Sequence, residues 1–316
     1  MKKLLILLLF PILAIGQPNL EAVDSLFQKK QFNKAENIIL EYLNDNPNNH
    51  QALELLGDVY ANQKQWDNAI KPYKILVKEN QNKADYHYKY ASALSMKALQ
   101  NRLKAIGFIR IVKKHFLKAA ELDKKHINTR WALVKLYTHV PKILGGSISK
   151  ALLFSNELKN LSKVDGHLAK GYIYKHDKQY LLAENHYKMA IKTGGSLHCF
   201  NTLTTFYVSR KLPQKAISNI ENTLEKYPHN ILHYQIGEIA ANHKTDLQKG
   251  ARNLNVYLKK DTENHQKTKA FAYYYLAQIN TYNNNKPEAL KHINLALAKS
   301  PQNDMFKKQK EQILKL

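Results

Sequence analysis

An all-α fold of paired helices is predicted by three observations. First, small residues recur at one template position, at Ala35, Ala69, Ala151, Ala183, Ala216, Gly250 and Ala289, with Val112 completing the series. The intervals between them are 34, 43, 39, 32, 33, 34 and 39 residues, so the chain repeats itself with a period near 34. Second, apolar residues within a unit keep helical spacing, as in Leu53, Leu56, Tyr60 and then Ile70, Tyr73, Leu76, which makes two amphipathic helices of about a dozen residues. Third, no segment alternates apolar and polar residues, and 11 Gly and 9 Pro in 316 residues leave no stretch that resembles a linker. Strand content is therefore expected to be close to nil, and the chain to be one array and not two domains.

From the N-terminus, Lys2 and Lys3 precede an apolar run at residues 4–15 broken by Pro11, and Ala14, Ile15 and Gly16 end it. This reads as a secretory signal peptide over residues 1–16, cleaved before Gln17. Its apolar run of about 12 residues is too short to span a bilayer, which takes about 20. No Cys follows it, which excludes a lipoprotein anchor on a processed cysteine. The array is expected over residues 17–301, with first helices centred near Val23, Gly57, Ala91, Val134, Gly171, Thr204, Gly237 and Ala277. Each is followed by a second helix that carries the recurring small residue, which lets the two backbones approach while aromatic neighbours fill the space alongside. Pro47, Pro228 and Pro301 close second helices that they cannot extend.

Two units are irregular. The third gains about nine residues around positions 98–111, so its helices should overrun the usual pair; its stretch 108–118 carries Arg110, Lys113, Lys114, His115 and Lys118 among apolar residues and reads as a helix with a solvated basic face. The fourth carries Pro141, Lys142, Ile143, Leu144, Gly145, Gly146 and Ser147 between its helices, which reads as a tight turn with Ser147 as N-cap. A Gly-Gly loop opening a helix can also offer backbone N–H groups to an anion, but the Gly-Lys-Ser/Thr ending of a nucleotide loop is missing. Residues 302–316, Lys-rich with Met305, Phe306, Ile313 and Leu314, read as a capping helix.

The template itself is best seen where Leu56, Gly57 and Tyr60 are followed by Trp66, Ala69 and Tyr73, and again where Gly171 and Tyr174 are followed by Tyr180, Ala183, Tyr187 and Ala190. This pattern resembles the tetratricopeptide repeat (TPR), strongly in the second and fifth units and weakly in the third, fourth and seventh. The loop of the fourth unit looks like one found in a subset of exported bacterial TPR proteins. The resemblance implies an α-solenoid, a superhelix of about eight TPR-like pairs plus a C-terminal cap. It also implies a concave groove lined by first helices, whose ligand-contact positions fall here on Tyr88, Trp131, Lys135, His139, Tyr172, Lys175, His176, Asn201, Tyr234 and Tyr274. His198, Glu238, Gln278 and Tyr282 occupy further such positions. The family's Lys and Asn clamp for a C-terminal carboxylate is not reproduced, because Trp131 and Lys135 stand where it wants Lys and Asn.

No catalytic constellation stands out, and no cofactor or metal is implied. His229 and His233 sit four apart, as two ligands on one helix would, but no third ligand lies nearby in sequence. Glu184 and His186 occupy template positions expected to face solvent. Tyr60, Tyr73, Tyr137, Tyr174, Tyr187 and Tyr207 fall on core positions, and the single Cys199 reads as a small buried thiol. Formal charge is 49 − 25 = +24, or +22 without Lys2 and Lys3. In an exported chain with no recognition helix that charge does not point to nucleic acid. The expected function is a non-enzymatic scaffold of the bacterial envelope, periplasmic or extracellular, holding a protein or peptide partner with acidic groups. The alternative is a basic face that binds an anionic envelope polymer or membrane surface.

Overall fold

The computed structural model describes residues 20–100, 102–260 and 266–316; the expected signal peptide, residues 1–16, lies outside them. The chain forms the expected all-α array of eight helix pairs and a terminal helix, with no strand among the described residues. Its helices fall into two units. The first holds α1 (Glu21–Gln28) with α2 (Phe32–Asp45), α3 (His50–Asn62) with α4 (Trp66–Glu79), α5 (Ala84–Gln100) with α6 (Arg102–Leu122), and α7 (Ile127–His139) with α8 (Ile148–Leu161). The second holds α9 (Lys163–His176) with α10 (Tyr180–Thr193), α11 (Leu197–Ser209) with α12 (Pro213–Lys226), α13 (Asn230–His243) with α14 (Leu247–Lys259), α15 (Gln266–Tyr282) with α16 (Lys286–Lys299), and the single α17 (Asp304–Leu314). The added residues of the third unit lengthen both its helices, to 17 residues in α5 and 21 in α6, against 13 or 14 in most others.

The recurring small residues sit where the two helices of a pair touch. Ala35, Ala69, Ala151, Ala183, Ala216 and Ala289 are fully buried, as Val112 nearly is. The closest approaches are on the first helix: a Cβ added to Gly57 would stand 2.3 Å from Cε1 of Tyr73, and one added to Gly171 2.5 Å from Cε1 of Tyr187. Each ring therefore lies flat against a bare backbone, and any larger residue there overpacks the pair. Helix starts are capped by side chains that accept backbone N–H groups, Asn49 from Ala52 at 2.9 Å, Ser162 from Asp165 at 3.2 Å and Asn303 from Met305 at 3.0 Å.

The turn inside a pair carries an unexpected residue. The chain leaves the first helix through a left-handed residue, which is Lys30, Lys64, Lys178, Lys211, Lys244 or Asn284, with φ between 50 and 61°. The two residues after the helix close back onto it, as where Lys64 N donates to Ala61 O at 3.0 Å and Gln65 N donates to Tyr60 O at 2.8 Å. Such a helix ending normally uses glycine, because an L side chain pays about 1–2 kcal/mol for this backbone region. Glycine itself costs roughly 0.5–1 kcal/mol in unfolded-chain entropy, so Lys178→Gly should stabilise the second unit by about 0.5 kcal/mol. Replacing Lys30, Lys64, Lys178, Lys211 and Lys244 together should raise stability by about 2.5 kcal/mol in all, about 1 in the first unit and about 1.5 in the second, since distant sites add. The check is the urea midpoint, and an unchanged midpoint in the five-fold variant contradicts the assignment of strain.

The loop of the fourth unit is a 3₁₀ turn, Lys142–Leu144, followed by Gly145 at φ 94°. Gly145 N donates to Lys142 O at 2.9 Å, Gly146 N to Pro141 O at 3.1 Å and Ser147 N to Tyr137 O at 2.9 Å. With these three N–H groups committed to carbonyls, they are not free to cradle a phosphate. Gly146 is required sterically, since a Cβ there would fall 1.6 Å from Val140 O. Ser147 Oγ accepts from Lys150 N at 3.3 Å and caps α8.

Candidate functional site

The residues assigned to a binding face lie on first helices. In the first unit, α7 carries Trp131, Lys135 and His139 on successive turns, as a four-residue spacing dictates. Trp131 is half-buried, Lys135 and His139 are exposed, and the Lys135 ammonium lies 5.8 Å from the Trp131 ring centroid. His139 Nδ1 donates to Lys135 O at 3.0 Å, which holds its ring along the helix. On α5, Tyr88 is half-buried and packs on Phe116 and His126, with centroids 6.0 and 5.0 Å away. The neighbouring first helices α3 and α5 are joined by Lys89, which meets Asp58 at 2.6 Å and Glu54 at 2.7 Å.

In the second unit, Tyr172 and His176 on α9 meet with ring centroids 4.7 Å apart, and Lys175 beside them is half-buried. Burial pushes the Tyr172 hydroxyl up to about 12, so the ring is neutral. Asn201 on α11 is exposed. Tyr234 on α13 is half-buried and packs at a tilt on Tyr257 and edge-on to Tyr275, and the Tyr275 hydroxyl donates to Glu238 at 2.8 Å, linking α13 to α15.

Three expectations are corrected here. Tyr274, assigned to the binding face, is only 7% exposed; it stacks on Phe306 of α17 at 5.2 Å and belongs to the core. The template register places it at the face, but the terminal helix covers it. Glu184 is 9% exposed and does not face solvent. It accepts from Tyr207 at 2.9 Å, from Lys188 at 2.8 Å and from Lys215 at 3.0 Å. Burial alone would raise its carboxyl, but these donors outweigh burial and hold it near 2. His186, likewise expected outside, packs between His167 and Tyr174, with centroids 5.5 Å from each.

His186 exposes a regularity that sequence reading missed. At the same two template positions, four residues before the central Ala91, Gly171 or Gly237 of the first helix and three after the recurring Val112, Ala183 or Gly250 of the second, His87 meets His115 at 2.8 Å, His167 meets His186 at 3.2 Å and His233 meets Asn253 at 2.7 Å. Tyr273 and His292 occupy them in the last pair with stacked rings. These are polar pairs inside single repeats, and they account for much of the histidine content. Among the described residues, no group of three or more His, Cys, Asp or Glu side chains converges as a metal site. Cys199 is fully buried.

Residues 20–94 match the tetratricopeptide repeat family model. No curated protein sequence matches the chain. Among solved structures, a tetratricopeptide repeat protein from Parabacteroides merdae is similar over 93% of this chain and 97% of its own, at 12% identity and a TM-score of 0.50. Yeast Tom70 is similar over 90% of this chain and 58% of its own, at 14% identity and a TM-score of 0.57. Arrays of this kind offer extended surfaces for protein–protein contact. Residues 20–94 thus resemble tetratricopeptide repeats, and the chain shares the all-α repeat fold of these structures.

Proposed function

We propose that the chain is a non-enzymatic scaffold that holds a protein or peptide partner on the first-helix faces of its repeats. The observation that carries this reading is the pairing of aromatic and basic side chains at the expected positions, Trp131 with Lys135 in the first unit and Tyr172 with His176 in the second. Each ring offers contact area at little entropic cost, and the ammonium groups of Lys135 and Lys175 on the same helices favour a partner with carboxylates. Export through residues 1–16 places the partner in the bacterial envelope, a reading supported by the basic, apolar and small-residue order of that segment.

The test is capture of partners by cross-linking in the native envelope, comparing the chain with the variant Trp131→Ala/Tyr172→Ala. Aromatic anchors lost from an interface cost about 2 kcal/mol or more. The variant should therefore hold its partner at least 30-fold more weakly, while Asn201→Ala changes little. Retained capture by the double variant removes the first-helix reading. An N-terminus at Met1 in the envelope-bound protein removes cleavage of the export segment.

A further inference from the structure

The second helices of the first unit carry a feature that the first-helix reading does not use. Between α4 and α6 lies a cleft of 610 Å³, the size of a site for a drug-like ligand or a few peptide side chains. Its rim is lysine, Lys74 and Lys78 one turn apart on α4 and Lys114 and Lys118 one turn apart on α6. Lys118 is paired with Glu121 at 2.7 Å. Lys74, Lys78 and Lys114 have no ion-pair partner among the described residues, and all three are exposed. Three like charges held around one concavity repel one another, and an anion seated between them relieves that repulsion.

The floor is of the opposite character. Val77, Tyr90 and the partly exposed Leu117 line it, together with the buried His87 and the half-buried His115. The Gln81 carbonyl, 3.0 Å from His87 Nε2, can only accept, so that nitrogen carries the proton. Burial lowers His87 and pushes His115 down to about 4, so both rings are neutral at neutral pH, with His115 Nδ1 donating to His87 Nδ1. The groups facing the pair are Lys74, Lys78, Lys114, Lys118, Glu121 and Tyr90, whose summed charge at neutral pH is positive. All the cationic character is thus at the rim, over an apolar and uncharged floor.

We propose that this cleft docks an acidic peptide segment of a partner protein, one in which carboxylates flank apolar side chains. The carboxylates meet the lysine rim and the apolar side chains cover Val77, Tyr90 and Leu117. A uniform polyanion would leave that floor unmatched, and a second copy of this chain, at +24, is repelled by the rim. The cleft shares no residue with the face assigned to Tyr88, Trp131 and Tyr172, so the two readings fail separately.

The test uses the full chain and a fluorescein-labelled synthetic peptide of alternating glutamate and leucine, read by anisotropy. Lys74→Glu/Lys114→Glu should weaken binding roughly 30-fold or more, since two charge reversals at a rim are worth about 2 kcal/mol together. The neutral variant Lys74→Gln/Lys114→Gln should lose an intermediate amount with both helices intact by circular dichroism. Met305→Ala, at an exposed residue of α17 that does not line the cleft, should bind the peptide as the parent does. Equal binding by the charge-reversed variant overturns the proposal, as does equal binding of a peptide with glutamine for glutamate. So does an outcome in which polyphosphate or vesicles of anionic phospholipid bind through these lysines and the peptide does not.

Discussion

Arg130→Ala lowers the stability of the first unit by about 3 kcal/mol, read as a shift of the urea midpoint. Arg130 is 2% exposed, and its guanidinium reaches several backbone carbonyls near the end of α6 at once. It donates to Ala120 O at 3.0 Å, to Asp123 O and to His126 O at 3.4 Å, carbonyls at or just beyond the end of α6, and to Glu157 of α8 at 3.1 Å. The last carbonyls of a helix have no partner within it, and each buried acceptor left alone costs about 1–3 kcal/mol. Removing the arginine empties its buried site and strands the Ala120 carbonyl, whereas Asp123 O keeps His126 N and His126 O keeps the Arg130 backbone N; Glu157, whose side chain is 39% exposed, rehydrates. Glu157→Gln should therefore cost less than about 1 kcal/mol. Arg130→Lys should recover only part of the loss, because an ammonium lacks the fork that reaches both α6 and α8. If Arg130→Ala and Glu157→Gln cost the same, the ion pair and not the carbonyl contacts holds this corner.

Phe306→Ala costs the second unit about 3–5 kcal/mol, the range for emptying a fully buried aromatic site. Phe306 is fully buried, edge-on to Phe271 at 5.1 Å and stacked on Tyr274 at 5.2 Å. It is the anchor of α17, with Ile313 one side and the α15 aromatics the other. In a repeat array each pair contacts mainly its neighbours, so the loss stays local. Hydrogen exchange should accelerate in α15, α16 and α17 and stay unchanged in α9 to α12. Met305→Ala, at a residue 51% exposed, should change stability by less than about 0.5 kcal/mol. Uniform acceleration across the second unit would mean that it unfolds as one block.

How much of this was legible in the sequence follows from which forces are local. All eight first helices centre where expected, because a small residue every 34 or so positions and the apolar stripe around it are set within one repeat. Tyr274 defeated the same register because its cover comes from α17, outside the repeat that sets its position. Glu184 was misplaced for a related reason: Lys215 and Tyr207, which stabilise its charge inside, come from the next pair. The left-handed lysines gave no signal, since Lys is not a turn residue and only the helix ending forces its backbone there. Of the binding face, the Trp131 and Lys135 contact and the Tyr172 and His176 contact follow from four-residue spacing on one helix. The cleft between α4 and α6 joins residues about 40 apart, and only packing brings them together.

The lysines at the turns also furnish a ruler. Lys30 and Lys64 are 34 residues apart, and Lys178, Lys211 and Lys244 follow one another at intervals of 33, each at the same turn of its pair. Within each unit their primary amines mark one end of successive repeats. An amine-reactive cross-linker of graded length would read the repeat spacing directly, and the shortest linker that joins neighbours would report any slip of one pair past the next when a partner binds.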